Sequence, residues 1–203
     1  MTSTISFLLV SISALLLITN CIGNNIDATN LGFQGPRIVP VTELELDSFV
    51  GRWYQMYSSL IPISTYEKDL VCIGADYTAV NSTAFTLTNF GRVGAPNGAQ
   101  QKLSGTAVLP NVSEVGKWVV EIEIGSTKKQ GQFWVLHLGP KIAGKYDWSV
   151  VSDSKGINMF VLSRDPDVFR TDYDNEVTKL LTKDGFVGIC APIPSYQSSS
   201  CVY

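Results

Sequence analysis

Few side chains in this sequence are suited to chemistry. The 203 residues include one histidine, His137, and four cysteines, Cys21, Cys72, Cys190 and Cys201. A single imidazole removes most histidine-ligated metal sites and most acid–base arrangements built on histidine. A lone histidine inside a strand-like stretch reads as a hydrogen-bonded structural residue rather than a catalyst. Two further reactive positions are the acceptor triplets Asn81-Ser82-Thr83 and Asn111-Val112-Ser113, which carry the N-glycosylation pattern. The formal charge of −3, from 15 Lys plus Arg against 18 Asp plus Glu, supplies no basic footprint for nucleic acid. At 45% apolar and 16% charged residues the chain is too apolar to be disordered. No cofactor and no metal are expected. This is the composition of a protein that holds a molecule rather than transforms one.

The compartment follows from the N-terminus. Ile5–Ile18 is an uncharged apolar run of 14 residues. It is too short to cross a hydrocarbon core of about 30 Å as a helix and has the length of a secretory h-region. Residues 1–23 therefore read as a signal peptide. Cleavage after Gly23 places Cys21 and Gly23 at the two positions the peptidase inspects, and cleavage after Ala28 is the alternative. The expectation is a secreted, extracellular protein. Two of its three remaining cysteines would pair in an oxidising compartment, leaving an odd one.

The elements that must position any site are mostly strands. In 117–125, Trp118, Val120, Ile122 and Ile124 share one face while Glu121 and Glu123 take the other. In 72–80, Ile73, Ala75, Tyr77 and Ala79 oppose Cys72, Gly74, Asp76 and Thr78. Period-two patterning of this kind marks strands with one buried face. Turn residues at short intervals give eight strands, near 50–59, 70–80, 83–90, 101–109, 117–125, 132–139, 145–152 and 157–164, the signature of a sandwich or barrel. The period then changes: Phe169, Tyr173, Val177, Leu180 and Leu181 recur at helical spacing, with a start at Thr171 and Asp174 and a stop at Gly185. The organisation is a signal peptide over 1–23, an N-terminal arm over 24–45, one domain over 46–190 and a flexible tail over 191–203.

Within that arrangement, Gly51-Arg52-Trp53 opens the first strand and Phe160-Val161-Leu162-Ser163-Arg164 closes the last. The chain resembles the lipocalin family, whose G-x-W motif opens an eight-stranded antiparallel up-and-down barrel followed by one helix packed on its side. Within the family it is most similar to the apolipoprotein D-like members and related bacterial and plant proteins, through 67–77, Phe133-Trp134-Val135-Leu136 and the acceptor at Asn111. The resemblance implies that Arg164 lies across Trp53 to close the barrel floor beside Gly51. It also implies a disulfide from Cys72 to Cys190, with Cys201, in a tail rich in Pro and Ser, left as a free or intermolecular thiol; Cys72 to Cys201 is the alternative.

A barrel of this size leaves room for side chains or one small ligand. The resemblance, with the inward parity of Trp53 and Arg164, implies a ligand set of Phe49, Tyr57, Tyr77, Phe85, Trp118, Ile122, Phe133, Val135 and Phe160. Tyr146, Trp148 and Val150 are further candidates from the seventh strand, and His137 shares the parity of Phe133 and Val135. This set contains no Lys, Asp or Glu, so the expected ligand is a small hydrophobic molecule, neutral or weakly polar: a lipid, sterol, fatty acid, retinoid or pigment. The chain is expected to be a monomer or weak dimer. One alternative is an interaction module that meets a receptor or membrane surface through its open-end loops, with Phe90–Ala99 the loop to mutate. Another is an isomerase acting through an in-barrel Cys, which an outward, oxidised Cys72 disfavours.

Overall fold

The computed structural model describes residues 35–124 and 127–203. The expected signal peptide and residues 24–34 of the expected arm lie outside the described residues. A short helix α1 (Leu46–Phe49) leads into β1 (Gly51–Ser58), and α2 (Leu60–Ser64) connects it to β2 (Leu70–Asn81). β3 (Ala84–Val93), β4 (Gln100–Val108), β5 (Lys117–Ile124) and β6 (Thr127–Leu138) follow as antiparallel neighbours. After a small hairpin of β7 (Lys141–Ile142) and β8 (Lys145–Tyr146) come β9 (Trp148–Ser152) and β10 (Phe160–Ser163). β10 pairs back onto β1, so β1–β6, β9 and β10 form a closed eight-stranded antiparallel barrel. Among the described residues no helix is long and apolar enough to cross a membrane.

One helix, α3, packs outside the barrel. It begins at Pro166–Val168, passes through a π-helical turn at Phe169–Tyr173 and continues as Asp174–Lys183. Its cap is Asp165, whose Oδ1 accepts from the backbone N–H of Asp167 at 2.8 Å and of Val168 at 3.1 Å. Proline at the first helical position suits that start, where no N–H partner is needed. The helix thus starts five residues before the expected Thr171, whose hydroxyl instead donates to carbonyls of the preceding turn.

Two apolar clusters result. One fills the barrel and includes Phe49, Trp53, Tyr77, Phe85, Trp118 and Val135. The other lies between α3 and the outer wall and includes Met56, Trp148, Val150, Val161, Phe169, Val177 and Leu181. Opposed residues in a ladder share a face, so a single extra residue moves everything beyond it to the other side. β1 carries such a bulge between Gln55 and Tyr57, and β6 carries one between Val135 and His137.

The segment after the helix departs most from expectation. Residues 191–203, expected to be loose, lie along the barrel wall. β11 (Ile193–Pro194) pairs with Ser58 and Tyr57 where the β1–β2 ladder has already ended at Tyr54 and Gly74. Gln197, buried, donates from Nε2 to the carbonyls of Gln55 (3.0 Å) and Ile73 (2.6 Å), stitching the two diverging strands. Cys201 is bonded to Cys72, with Cα atoms 5.5 Å apart, so the expected Cys72–Cys190 pairing is not formed. The cause is local: Cys72 sits on a bulge of β2 with φ +54, and its N–H donates to Tyr196 O at 2.9 Å, which brings the tail alongside. Cys190 is itself disulfide-bonded, and no described cysteine is free. Cys201 is therefore not the expected free thiol. Cys21, the remaining cysteine of the sequence, lies outside the described residues.

Candidate functional site: the barrel interior and its two ends

At the end where β1 begins, the barrel is stoppered. Phe49, from α1, and Trp53 have no solvent exposure. The guanidinium carbon of Arg164 stands 3.5 Å from the Trp53 ring centroid, a cation–π contact. The same group donates to the carbonyls of Arg52 (2.6 Å), Phe49 (2.8 Å) and Tyr146 (3.1 Å). It therefore ties α1, β1 and β8 together. Burial pulls its pKa down to about 10, which still leaves a cation at neutral pH. Gly51 stands beside it with φ +113, and a Cβ there would come within 3.2 Å of Arg164 Nη1. Gly51, Trp53 and Arg164 are thus brought together at this end of the barrel.

Above the stopper lies an aromatic layer. Phe49 and Tyr77 have ring centroids 5.9 Å apart, Phe85 and Trp118 5.0 Å, and Tyr77 and Phe133 6.0 Å. Stacked, tilted and edge-on in turn, pairs at these separations add to the stabilisation from the area they bury. Burial raises the Tyr77 phenol well above its ordinary range, so it stays neutral. Val135 is fully buried beside this layer. Phe49, Tyr77, Phe85, Trp118 and Val135 fill the floor half of the barrel rather than line a space, with the partly exposed Phe133 packed on them.

The mouth half differs. Ile122, Phe133 and Phe160 pack on the core but remain partly exposed, as does Leu103. Gly131 stands opposite Val120, hence on the inner face, and a Cβ built there would meet nothing within 4 Å. The wall also splays: the β4–β5 ladder ends at Gly105 and Ile122, and the β6–β9 ladder at Trp134 and Ser152. Lys129 faces Ile122 across the ladder and is exposed, which places one cation at the rim. On the β1 side, Gln55 Nε2 donates to Glu67 Oε2 at 3.0 Å. Burial pushes that carboxyl up to about 7, against hydrogen bonds from Gln55 and Ser58 that favour its ionised form.

Several expected site residues lie elsewhere. Tyr57 is outside the cup: the β1 bulge turns it toward α3, where its hydroxyl donates to Asp174 Oδ1 at 2.6 Å. Trp148 and Val150 also face α3, because Asp147 interrupts the strand between Tyr146, which is in the barrel core, and β9. The inner row of β9 is Ser149 and Val151, opposite Leu162 and Phe160. His137 is turned outward by the β6 bulge and meets Asp184 Oδ2 at 2.6 Å, beside Arg37. Gly131, Lys129 and the Gln55–Glu67 pair were missed. Counting back by two from Phe133 reaches Gly131 and Lys129, but the polar run 127–132 reads as a turn rather than as the start of β6.

A separate cleft of about 560 Å³ opens at the stoppered end, between Leu44–Asp47, the β2–β3 turn at Ala79–Ser82, and Leu109, Val115 and Trp118. It does not communicate with the mouth through the filled aromatic layer. Among the described residues no group of three or more His, Cys, Asp or Glu could hold a metal ion.

Comparison with known proteins agrees with this geometry. The family model described as a lipocalin-like domain matches residues 44–188. No curated protein matches the chain. Among solved structures, insecticyanin from the tobacco hornworm Manduca sexta is 19% identical with a TM-score of 0.63, over 83% of this chain and 89% of that one. The amine-binding protein of Rhodnius prolixus, in its tryptamine complex, is 16% identical with a TM-score of 0.56, over 82% and 88%. Japanin from Rhipicephalus appendiculatus, bound to cholesterol, is 14% identical with a TM-score of 0.50, over 80% and 99%. At these identities the likeness is one of fold.

Proposed function

The chain belongs to the lipocalin-like domain family, and on that premise we propose that it binds and carries a small hydrophobic molecule in the mouth half of its barrel, outside the cell. The observation that carries this reading is the contrast within the barrel: the floor half is packed solid, whereas Ile122, Phe133 and Phe160 are partly exposed on the side where Gly131 has open space before it. A packed floor gives a ligand a firm seat, and a splayed wall gives it an entrance. The fold neighbours that hold tryptamine and cholesterol support the reading by analogy.

The ligand in this reading is neutral or weakly polar, with any charge at the rim near Lys129. A lipid, sterol, fatty acid, retinoid or pigment fits that description. The finer likeness to apolipoprotein D rests on the segments 67–77 and 133–136. Burying about 300 Å² of apolar ligand surface contributes about 7 kcal/mol. Association costs several kcal/mol of that, so micromolar affinity follows unless polar contacts add to it. The reading assigns no catalysis: Cys72, the thiol an in-barrel isomerase would need, is oxidised.

The test is titration of the purified protein with a broad panel of lipophilic ligands, followed through its tryptophan fluorescence. Saturable quenching by at least one class supports the proposal. Failure across the whole panel, with the fold intact by circular dichroism, would sink it.

A further inference from the structure

The cleft at the stoppered end lies outside the proposed ligand site, as do the two acceptor triplets. They lie together. Asn81 and Ser82 form part of the cleft wall, and Asn111 is on the β4–β5 connection at the same end of the barrel. In both triplets the asparagine carbonyl is engaged by the residue two positions on. Asn81 Oδ1 accepts from Thr83 N–H at 2.9 Å and from Thr83 Oγ1 at 3.1 Å. Asn111 Oδ1 accepts from Ser113 N–H at 3.0 Å and from Ser113 Oγ at 2.8 Å. Each arrangement holds the hydroxyl against the amide, and both asparagines are exposed. Asn81 Nδ2 has no hydrogen-bond partner in the described structure.

The surface around them is unusually apolar for an uncovered turn. Val80 is 59% exposed, Val108 45% and Val112 70%, while Leu44, Leu46 and Leu109 line the cleft beside them. Exposed apolar surface next to a cleft implies something that covers it.

We propose that an N-linked glycan on Asn81 occupies this cleft, packing its first sugars between the arm at Leu44–Asp47 and the turn at Val80, with a second glycan on Asn111 covering Val112. The linkage forms between Asn Nδ2 and the anomeric carbon of a sugar donor, with the donor's lipid pyrophosphate as leaving group and one amide proton released. The sugar's apolar face and N-acetyl methyl meet the valine and leucine side chains, and its hydroxyls meet water. Both glycans then sit at the stoppered end, and the mouth stays bare for ligand and partner. The inference rests on passage through a secretory compartment but not on what the cup binds, so it stands or falls separately from the ligand reading.

The experiment expresses the full chain in cultured insect or mammalian cells and maps the peptides containing Asn81 and Asn111 by mass spectrometry. The native protein is then deglycosylated enzymatically, which leaves folding out of the comparison, and melted beside the untreated form. The proposal expects Asn81 and Asn111 to be modified and Tm to fall by about 2–4 °C on sugar removal, the shift that about 1 kcal/mol produces in a chain of this size. Val80→Ser should shrink that fall, since it removes the surface on which the sugar packs. An unmodified Asn81 overturns the proposal. A modified Asn81 whose removal leaves Tm unchanged overturns the packing, and an unmodified Asn111 overturns the second site.

Discussion

The two halves of the barrel are made from the same strands and the same residue types, yet they do different work. In the floor half Phe49, Trp53, Phe85, Trp118 and Val135 are at most 1% exposed, and Arg164 ties the strands to α1. In the mouth half the inner row includes Gly131 and Gly105, ladders end early, and Ile122, Phe133 and Phe160 stay partly open. Aromatic content alone therefore does not mark a binding site; what marks it is where the apolar row stops being filled. In the proposed function, the floor holds the fold and the mouth receives the ligand.

The largest expected effect breaks the floor. Trp53→Ala should cost about 3–5 kcal/mol of stability, the usual cost of removing a fully buried Trp, read by denaturant unfolding. Arg164→Ala should follow closely, because it removes the guanidinium that joins the carbonyls of Phe49, Arg52 and Tyr146. Slightly smaller is Cys201→Ser, which frees the tail from β2. The bridge spans 129 residues, and its loss should cost about 2–5 kcal/mol. If Cys201→Ser left the denaturation midpoint unchanged, the tail would not be part of the wall.

The mouth should respond in the opposite manner. Phe160→Ala is expected to weaken ligand binding by about ten-fold, corresponding to about 1.4 kcal/mol, with a smaller loss of stability than Trp53→Ala. Equal losses of stability from the two would erase the distinction between the halves. The smallest effect is that of pH on the Gln55–Glu67 pair. Glu67 has its folded-state pKa raised from 4.5 to about 7, so the protonated form favours the folded chain. Its contribution is fully present below about pH 4.5 and is lost as pH rises through 7. Glu67→Gln should flatten that part of the stability profile, and a profile identical to wild type would remove Glu67 from the account.

The strand count was legible in alternation, which left sandwich or barrel open, whereas barrel closure and the pairing of Trp53 with Arg164 were implied by the family resemblance that two short motifs carry. The errors fall where alternation carries no information. Under α3 the wall is apolar on both faces, so nothing in the sequence marks the bulges that turn Tyr57 and His137 outward. Where β6 runs on beyond its ladder with β9, the polar run from Thr127 to Gln132 conceals a strand. Cys201 was misread for a different reason. Proline and serine suggest a loose tail, but the gap between the diverging β1 and β2 offers unpaired backbone groups, and the tail satisfies them through β11 and Gln197.

The central claim is that the space above the aromatic layer is where a molecule is held. Gly131→Leu places a side chain in that space from a position where a Cβ meets no neighbour, so it should fill the cup without straining the fold. The decisive measurement is mass spectrometry of small molecules extracted from natively produced wild-type and Gly131→Leu protein, with Tm recorded for both. The account predicts a hydrophobic compound near one equivalent in the wild type, its loss in the variant, and closely similar Tm values. The same compound retained at the same level in both proteins, or none in either, would contradict it.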